Sequence, residues 1–164
     1  MEIVLKLIRF DLRKSEEWAE FYDLFTAYLA EVCDEEEYRE NVADLHDDAL
    51  NQQLIQQTQD ANRPYLIQRI VRNGECVGMI SCAFDSQSRR GFINNFYVRP
   101  EHRKQGIGVS AYAAMEAQLR ELGAAHVELM PVETAVGFYE RMGFASSGIT
   151  AEGERVYGKE IRAE

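Results

Sequence analysis

Residues 92–108, FINNFYVRPEHRKQGIG, constrain this chain more than any other stretch. An apolar run ends at Val98, and a turn carrying Arg99, Arg103 and Lys104 follows. Gly106 and Gly108 then open an amphipathic segment in which Gly108, Tyr112, Met115, Leu119 and Leu122 share one helical face. The chain must therefore pass from strand to helix through a basic turn. The first turn of a helix presents N–H groups without intrahelical acceptors, together with the positive end of a dipole. Glycine lets a phosphate approach such a backbone closely. The pattern suits a pyrophosphate cradle, and two glycines at a helix start also suit plain turn chemistry. It is not a Walker loop, because no GxxxxGK[ST] is present. Nor is it the dinucleotide GxGxxG, since Ala111 stands where the third glycine would be.

The rest of the chain reads as one domain over residues 1–164, a length that allows a real core but not two comfortable ones. Residues 3–10 are apolar enough for a strand. Trp18, Phe21, Tyr22, Phe25, Tyr28, Leu29 and Val32 then fall on one helical face, with Ser15 as the expected N-cap. One further helical stretch is predicted over residues 34–57, with capping-box-like spacing of Asp34 and Glu37. Two strands, 65–72 and 75–84, flank Asn73-Gly74, a pair that favours the type I′ hairpin turn. A third strand covers 92–98. A short strand over 126–130 follows the glycine-opened helix, then a short helix over 134–142 stopped by Gly143, then a last hairpin around Glu152-Gly153. The order is β-α-α-β-β-β-α-β-α-β-β, and its strand-helix-strand centre is a candidate parallel crossover.

Charge and cysteines narrow the function. The formal net charge, 18 − 28 = −10, repels nucleic acid and suits either a cationic partner or simple solubility. Three cysteines without a CxxC pair give neither a disulfide framework nor a metal site, and idle thiols fit a reducing compartment. No run approaches the ~20 apolar residues of a membrane helix, and the charged N-terminus is no signal peptide. A cytoplasmic protein without membrane or nucleic-acid partners is the expectation.

Residues 97–108 also resemble motif A of the GNAT superfamily of acetyl-CoA-dependent acetyltransferases. Tyr97-Val98-Arg99-Pro100 matches its strand end, and Arg103-Lys104-Gln105-Gly106-Ile107-Gly108 matches its R/Q-x-x-G-x-G/A. Downstream, AVGFYERMGF at residues 135–144 resembles motif B. The resemblance implies an α/β chain with a mixed α+β sheet, in which a splayed central parallel strand pair is flanked by helices. It implies acetyl-CoA as cosubstrate and no metal. The backbone at Phe96, Tyr97 and Val98 would pair with the pantetheine arm, the Val98 amide meeting the thioester carbonyl. The pyrophosphate would lie on residues 103–109, that is Arg103, Lys104, Gln105, Gly106, Ile107, Gly108 and Val109, with the Ser110 hydroxyl nearby. Arg141 could reach a phosphate or form a helix-surface ion pair. Tyr139 matches the motif B tyrosine that often protonates the departing thiolate; as plain packing it would sit beside Phe138.

Two departures stand out. Where relatives often place a glutamate on the motif A strand, this chain has Asn94 and Asn95, and neither amide is a useful base. Glu128 and His126 share one face of the neighbouring strand and could act directly or through water, or be surface residues. Seven residues before Tyr139, many relatives carry an asparagine; here Val132 follows Pro131. The acceptor would be an amine. Residues 31–48 hold nine acids against Arg39, either a rim that attracts cationic acceptors or a solvated helix face. An N-acetyltransferase is the leading reading, a weakly catalytic CoA-binding sensor or scaffold the other, and a homodimer is left open.

Overall fold

The structure, a computed structural model, describes residues 4–161. It opens with β1 (Leu5–Arg9) and the long helix α1 (Ser15–Val32). Ser15 is the first helical residue rather than the cap; Lys14 takes the extended cap position, with φ −89° and ψ 127°. Glu17 instead reaches back to accept the Asp11 amide at 3.0 Å.

The single helix expected over 34–57 is two helices, α2 (Glu35–Asp44) and α3 (Asp48–Thr58). Asp34 caps the first as expected, accepting the Glu37 amide at 2.8 Å. The break has a local cause. The Asp47 carboxylate accepts the amides of Ala49 and Leu50, so the chain restarts a helix there instead of continuing one.

The hairpin β2 (Tyr65–Arg72) and β3 (Glu75–Asp85) turns through Asn73 and Gly74 at φ 51° and 83°, the signs a type I′ turn needs. Next come β4 (Arg90–Val98), a 3-10 turn at Pro100–His102, α4 (Ile107–Leu122), β5 (His126–Leu129), a second 3-10 turn at Glu133–Ala135, and α5 (Val136–Arg141). A closing hairpin joins β6 (Ala145–Ile149) to β7 (Arg155–Glu160). The seven strands form one mixed sheet in the order β1-β2-β3-β4-β5-β7-β6. Among the described residues, only β4 and β5 run parallel, joined by the crossover through α4. Among the same residues, no helix is long and apolar enough to cross a membrane.

Two apolar layers cover the sheet. Phe10, Phe21, Leu24, Met79 and Tyr97 form the layer under α1. Ile80, Ile93, Met115, Leu119, Val127, Tyr139 and Phe144 form the layer under α4 and α5. The β3–β4 ladder is interrupted: Ser81 faces Asn95 while Cys82 faces Ile93, leaving Asn94 as an extra, bulged residue.

The β3–β4 ladder also fixes one glycine. A Cβ on Gly78 would lie 2.1 Å from the Tyr97 carbonyl oxygen, a backbone atom that cannot rotate away. Gly78→Ala should therefore lower the urea midpoint and cost about 1–3 kcal/mol or more, as overpacking does. An unchanged midpoint would show that β3 and β4 do not approach this closely.

Candidate active site

The site begins where the parallel pair ends. β4 pairs with β5 only from Arg90↔His126 to Ile93↔Leu129, and β4 then continues alone to Val98. On its other side Val98 faces Gly78, and the Arg99 amide donates to the Val77 carbonyl at 2.8 Å. In that type of antiparallel pair the N–H and C=O of Val98 itself point away from β3, into the opening, and alternation sends those of Phe96 the same way. Tyr97, opposite Met79, directs its backbone to β3 and its ring to the α1 layer. The opening is a cleft of about 730 Å³.

At one end of the cleft lies the turn into α4. Lys104 and Gly106 adopt left-handed φ values of 62° and 80°. Left-handed residues in such a turn gather backbone N–H groups into an anion-binding concavity. The Arg103 amide is already bonded to the Pro100 carbonyl, and the Ser110 amide to Gly106. Between them, the amides of residues 104–109 have no acceptor among the described residues. Six consecutive donors at a helix N-terminus await an anion.

The side chains divide differently. The Arg103 guanidinium is already occupied: it donates to both Glu31 carboxylate oxygens at 2.7 Å and to the Val98 carbonyl at 2.8 Å. Its charge therefore ties the turn to α1. Gln105 turns away to Arg72 and the Glu101 carbonyl. Lys104 and Arg141 line the cleft and enter no ion pair among the described residues. Gly108 lies close against α5: a Cβ there would stand 3.3 Å from the Phe138 ring, which would have to shift by a few tenths of an ångström.

Tyr139 lines the cleft from α5, boxed by Phe138 and Phe144 at centroid distances of 5.2 and 5.6 Å. Its hydroxyl has no hydrogen-bond partner among the described residues. Burial, assisted by the nearby Tyr28, pushes the phenol above its ordinary range, so it stays protonated at neutral pH. Phe96 stands edge-on to Phe138 at 5.9 Å and closes the wall between them.

His126 and Glu128 lie elsewhere. They contact each other at 3.2 Å, and Glu128 also pairs with Arg90 at 3.4 Å, at the paired end of β4 and β5. Neither lines the cleft. Among the described residues, the only carboxylate lining it is Glu31, bound to Arg103. Sequence reading also missed Tyr28 as a site residue; it lines the cleft from α1. Its place on an aromatic helical stripe reads as core, and only the meeting of α1 with the end of β4 reveals the rest.

A mixed sheet whose one parallel pair splays beside a glycine-opened helix defines the GNAT acyltransferase fold. The acetyltransferase (GNAT) family matches residues 18–144, and the chain belongs to that family. The PaiA N-acetyltransferase of Thermoplasma acidophilum, solved in complex with coenzyme A, shares the fold at TM-score 0.72 with 14% identity, over 98% of this chain and 100% of that one. An acetyltransferase of Thermus thermophilus does so at TM-score 0.72 with 17% identity and the same coverage, 98% and 100%. In sequence, the uncharacterized protein YrkN of Bacillus subtilis (strain 168) is 40% identical over 53 residues, 32% of this chain and 29% of that protein. The match thus spans under a third of that relative's length.

The buried phenol carries a pH signature. Its folded pKa is raised, so its contribution to stability is whole below the unfolded tyrosine value of about 10 and is lost as pH rises from there toward the folded value. Tyr139→Phe should therefore lose stability less steeply than wild type above pH ~10, as read by urea melts at a series of alkaline pH values. Parallel declines would show that Tyr139 is not held in its protonated form.

Proposed function

We propose that the protein transfers an acetyl group from acetyl-CoA to a primary amine. The observation that carries this reading is the meeting, in one cleft, of the unpaired amides at 104–109, the open edge of β4 and the unpartnered Tyr139 hydroxyl. The donor set fits the cosubstrate. Phosphate oxygens need N–H groups and positive charge, which the amides of residues 104–109 and the Lys104 and Arg141 side chains supply. Pantetheine amides need a strand edge, which Phe96 and Val98 offer.

The chemistry follows from the same groups. An ordinary amine, of pKa about 10, must lose a proton before it attacks the thioester. No free carboxylate lines the cleft to take it, so the proton leaves to water in the open cleft. As the carbonyl oxygen gains charge, the Val98 N–H, directed into the cleft, donates to it. Tyr139, protonated at neutral pH, gives its proton to the departing thiolate; the attached nitrogen sheds its second proton to water as it becomes an amide, and the phenolate regains a proton from the same water.

The weakly catalytic CoA-binding reading is favoured by two observations: no free carboxylate lines the cleft among the described residues, and Val132 stands where relatives often carry an asparagine. Thiol release against a panel of amines separates the two.

Wild type should bind CoA in a calorimetric titration. Gly106→Val, which is strained at φ 80° and places a branched side chain among the donors, should bind at least about tenfold more weakly. Equal binding by both would remove the cradle. Tyr139→Phe should lower kcat by ~10²-fold or more while the KM for acetyl-CoA changes little, once equal folding is shown. Full turnover with chemistry limiting would make the tyrosine a packing residue.

A further inference from the structure

The strand edge that faces the cleft is not wholly open. Val98, the last residue of β4, directs its N–H and its C=O away from β3, yet the carbonyl already accepts from Arg103 Nε at 2.8 Å. The same guanidinium sends one terminal nitrogen to both carboxylate oxygens of Glu31, in the last turn of α1, at 2.7 Å. It also lies over the Tyr97 ring, 5.5 Å from the centroid. Its other terminal nitrogen has no partner among the described residues. Arg103 thus joins α1 to the end of β4 within the cleft lining, and it uses up an acceptor that a ligand amide would need.

Each of these contacts is of a kind that ligand groups replace. The Arg103 and Glu31 side chains are both 40% exposed, so water screens the pair and keeps it weak. The Arg103 amide is bonded to the Pro100 carbonyl, and the six unpaired amides begin at the very next residue. An anion seated on those amides is therefore a neighbour of the Arg103 side chain. A phosphate offers that side chain more charge and more acceptor oxygens than a carboxylate, in a geometry the guanidinium fork matches.

We propose that Arg103 is a latch on the cosubstrate cleft: in the free protein it occupies Glu31 and the Val98 carbonyl, and it leaves both for a phosphate held on the neighbouring amides, which opens the carbonyl to a pantetheine amide. The inference rests on the acetyltransfer reading above, which makes acetyl-CoA the occupant of the cleft. Recognition of the phosphate end is thereby coupled to recognition of the pantetheine end. A thioester without phosphates meets a closed latch, so the cleft rejects it by more than the contacts it lacks. Glu31 competes with phosphate for one cation and so sets how firmly the latch is shut.

The test titrates the full chain, followed by NMR chemical shifts, with CoA and with pantetheine, which keeps the amides and the thiol but carries no phosphate. Arg103→Met keeps an unbranched stem and removes the guanidinium. It should bind pantetheine about threefold or more tighter than wild type, because the Val98 carbonyl is already open, and CoA about threefold or more weaker, because the phosphate loses its cation. Glu31→Gln keeps Arg103 and weakens its anchor, so it should bind CoA about threefold or more tighter. A folding defect weakens binding and cannot produce either gain. Pantetheine bound no better by Arg103→Met, CoA bound as well by Arg103→Met as by wild type, or CoA bound no better by Glu31→Gln would overturn the latch alone. A wild type that binds no CoA removes the acetyltransfer reading and the latch with it.

Discussion

Four residue pairs join β4 to β5, and their ending at Ile93↔Leu129 shapes the rest of the site. Two features of the chain end the ladder there. The bulge at Asn94 changes the course of β4 just past the last pair. On the other strand Pro131 has no N–H to continue the ladder. A buried strand edge ordinarily finds a partner. Here the edge at Phe96 and Val98 is left facing a cleft, which makes it a place for a ligand with amides of its own.

The second support of the site is the seat of α4. Its first turn packs against α5 because Gly108 has no side chain to hold Phe138 away. Its middle is tied to the sheet beneath it: Glu116, which also meets Tyr112 at 2.7 Å and Arg120 at 3.0 Å on the same helix, pairs with Lys159 of β7 at 2.7 Å. Gln68 of β2 and Gln118 exchange two hydrogen bonds at 2.7 and 2.9 Å. The helix is thereby fixed at its start and through its middle, and the amides of its first turn are held beside the strand edge. In an acidic chain, the basic turn before α4 supplies local positive charge, and Glu31 uses one of its arginines to bind α1 to the site.

Much of this was legible in the sequence because it is local. Apolar runs on either side of Asn73-Gly74 specify the hairpin, and the strand, basic turn and glycines specify the start of α4. The motif at 135–144 places Tyr139 beside both. The split between α2 and α3 was not legible from helical periodicity, since it depends on Asp47 capturing two amides. The role of Gly108 in packing depends on Phe138, far away in the chain. That Arg103 has a carboxylate partner was not legible, because Glu31 lies on another helix. His126 and Glu128 read as bases or as surface residues because strand period places them on one face; the sheet sets them at its paired end, away from the cleft lining. Tyr28 was hidden in an aromatic stripe that otherwise does what such stripes do, which is to fill a core.

Amide hydrogen exchange tests the central claim most directly, that the splay leaves one strand edge and one helix start as a single row of unpaired donors for the cosubstrate. In the free protein, the amides of Phe96, Val98 and residues 104–109 should exchange fast, while Tyr97 and Arg99, bonded to β3, exchange slowly. Saturating CoA should protect the fast set and leave the paired end of β4 and β5 unchanged. Protection confined to the paired end of β4 and β5 around His126, or none at residues 104–109, would contradict this arrangement.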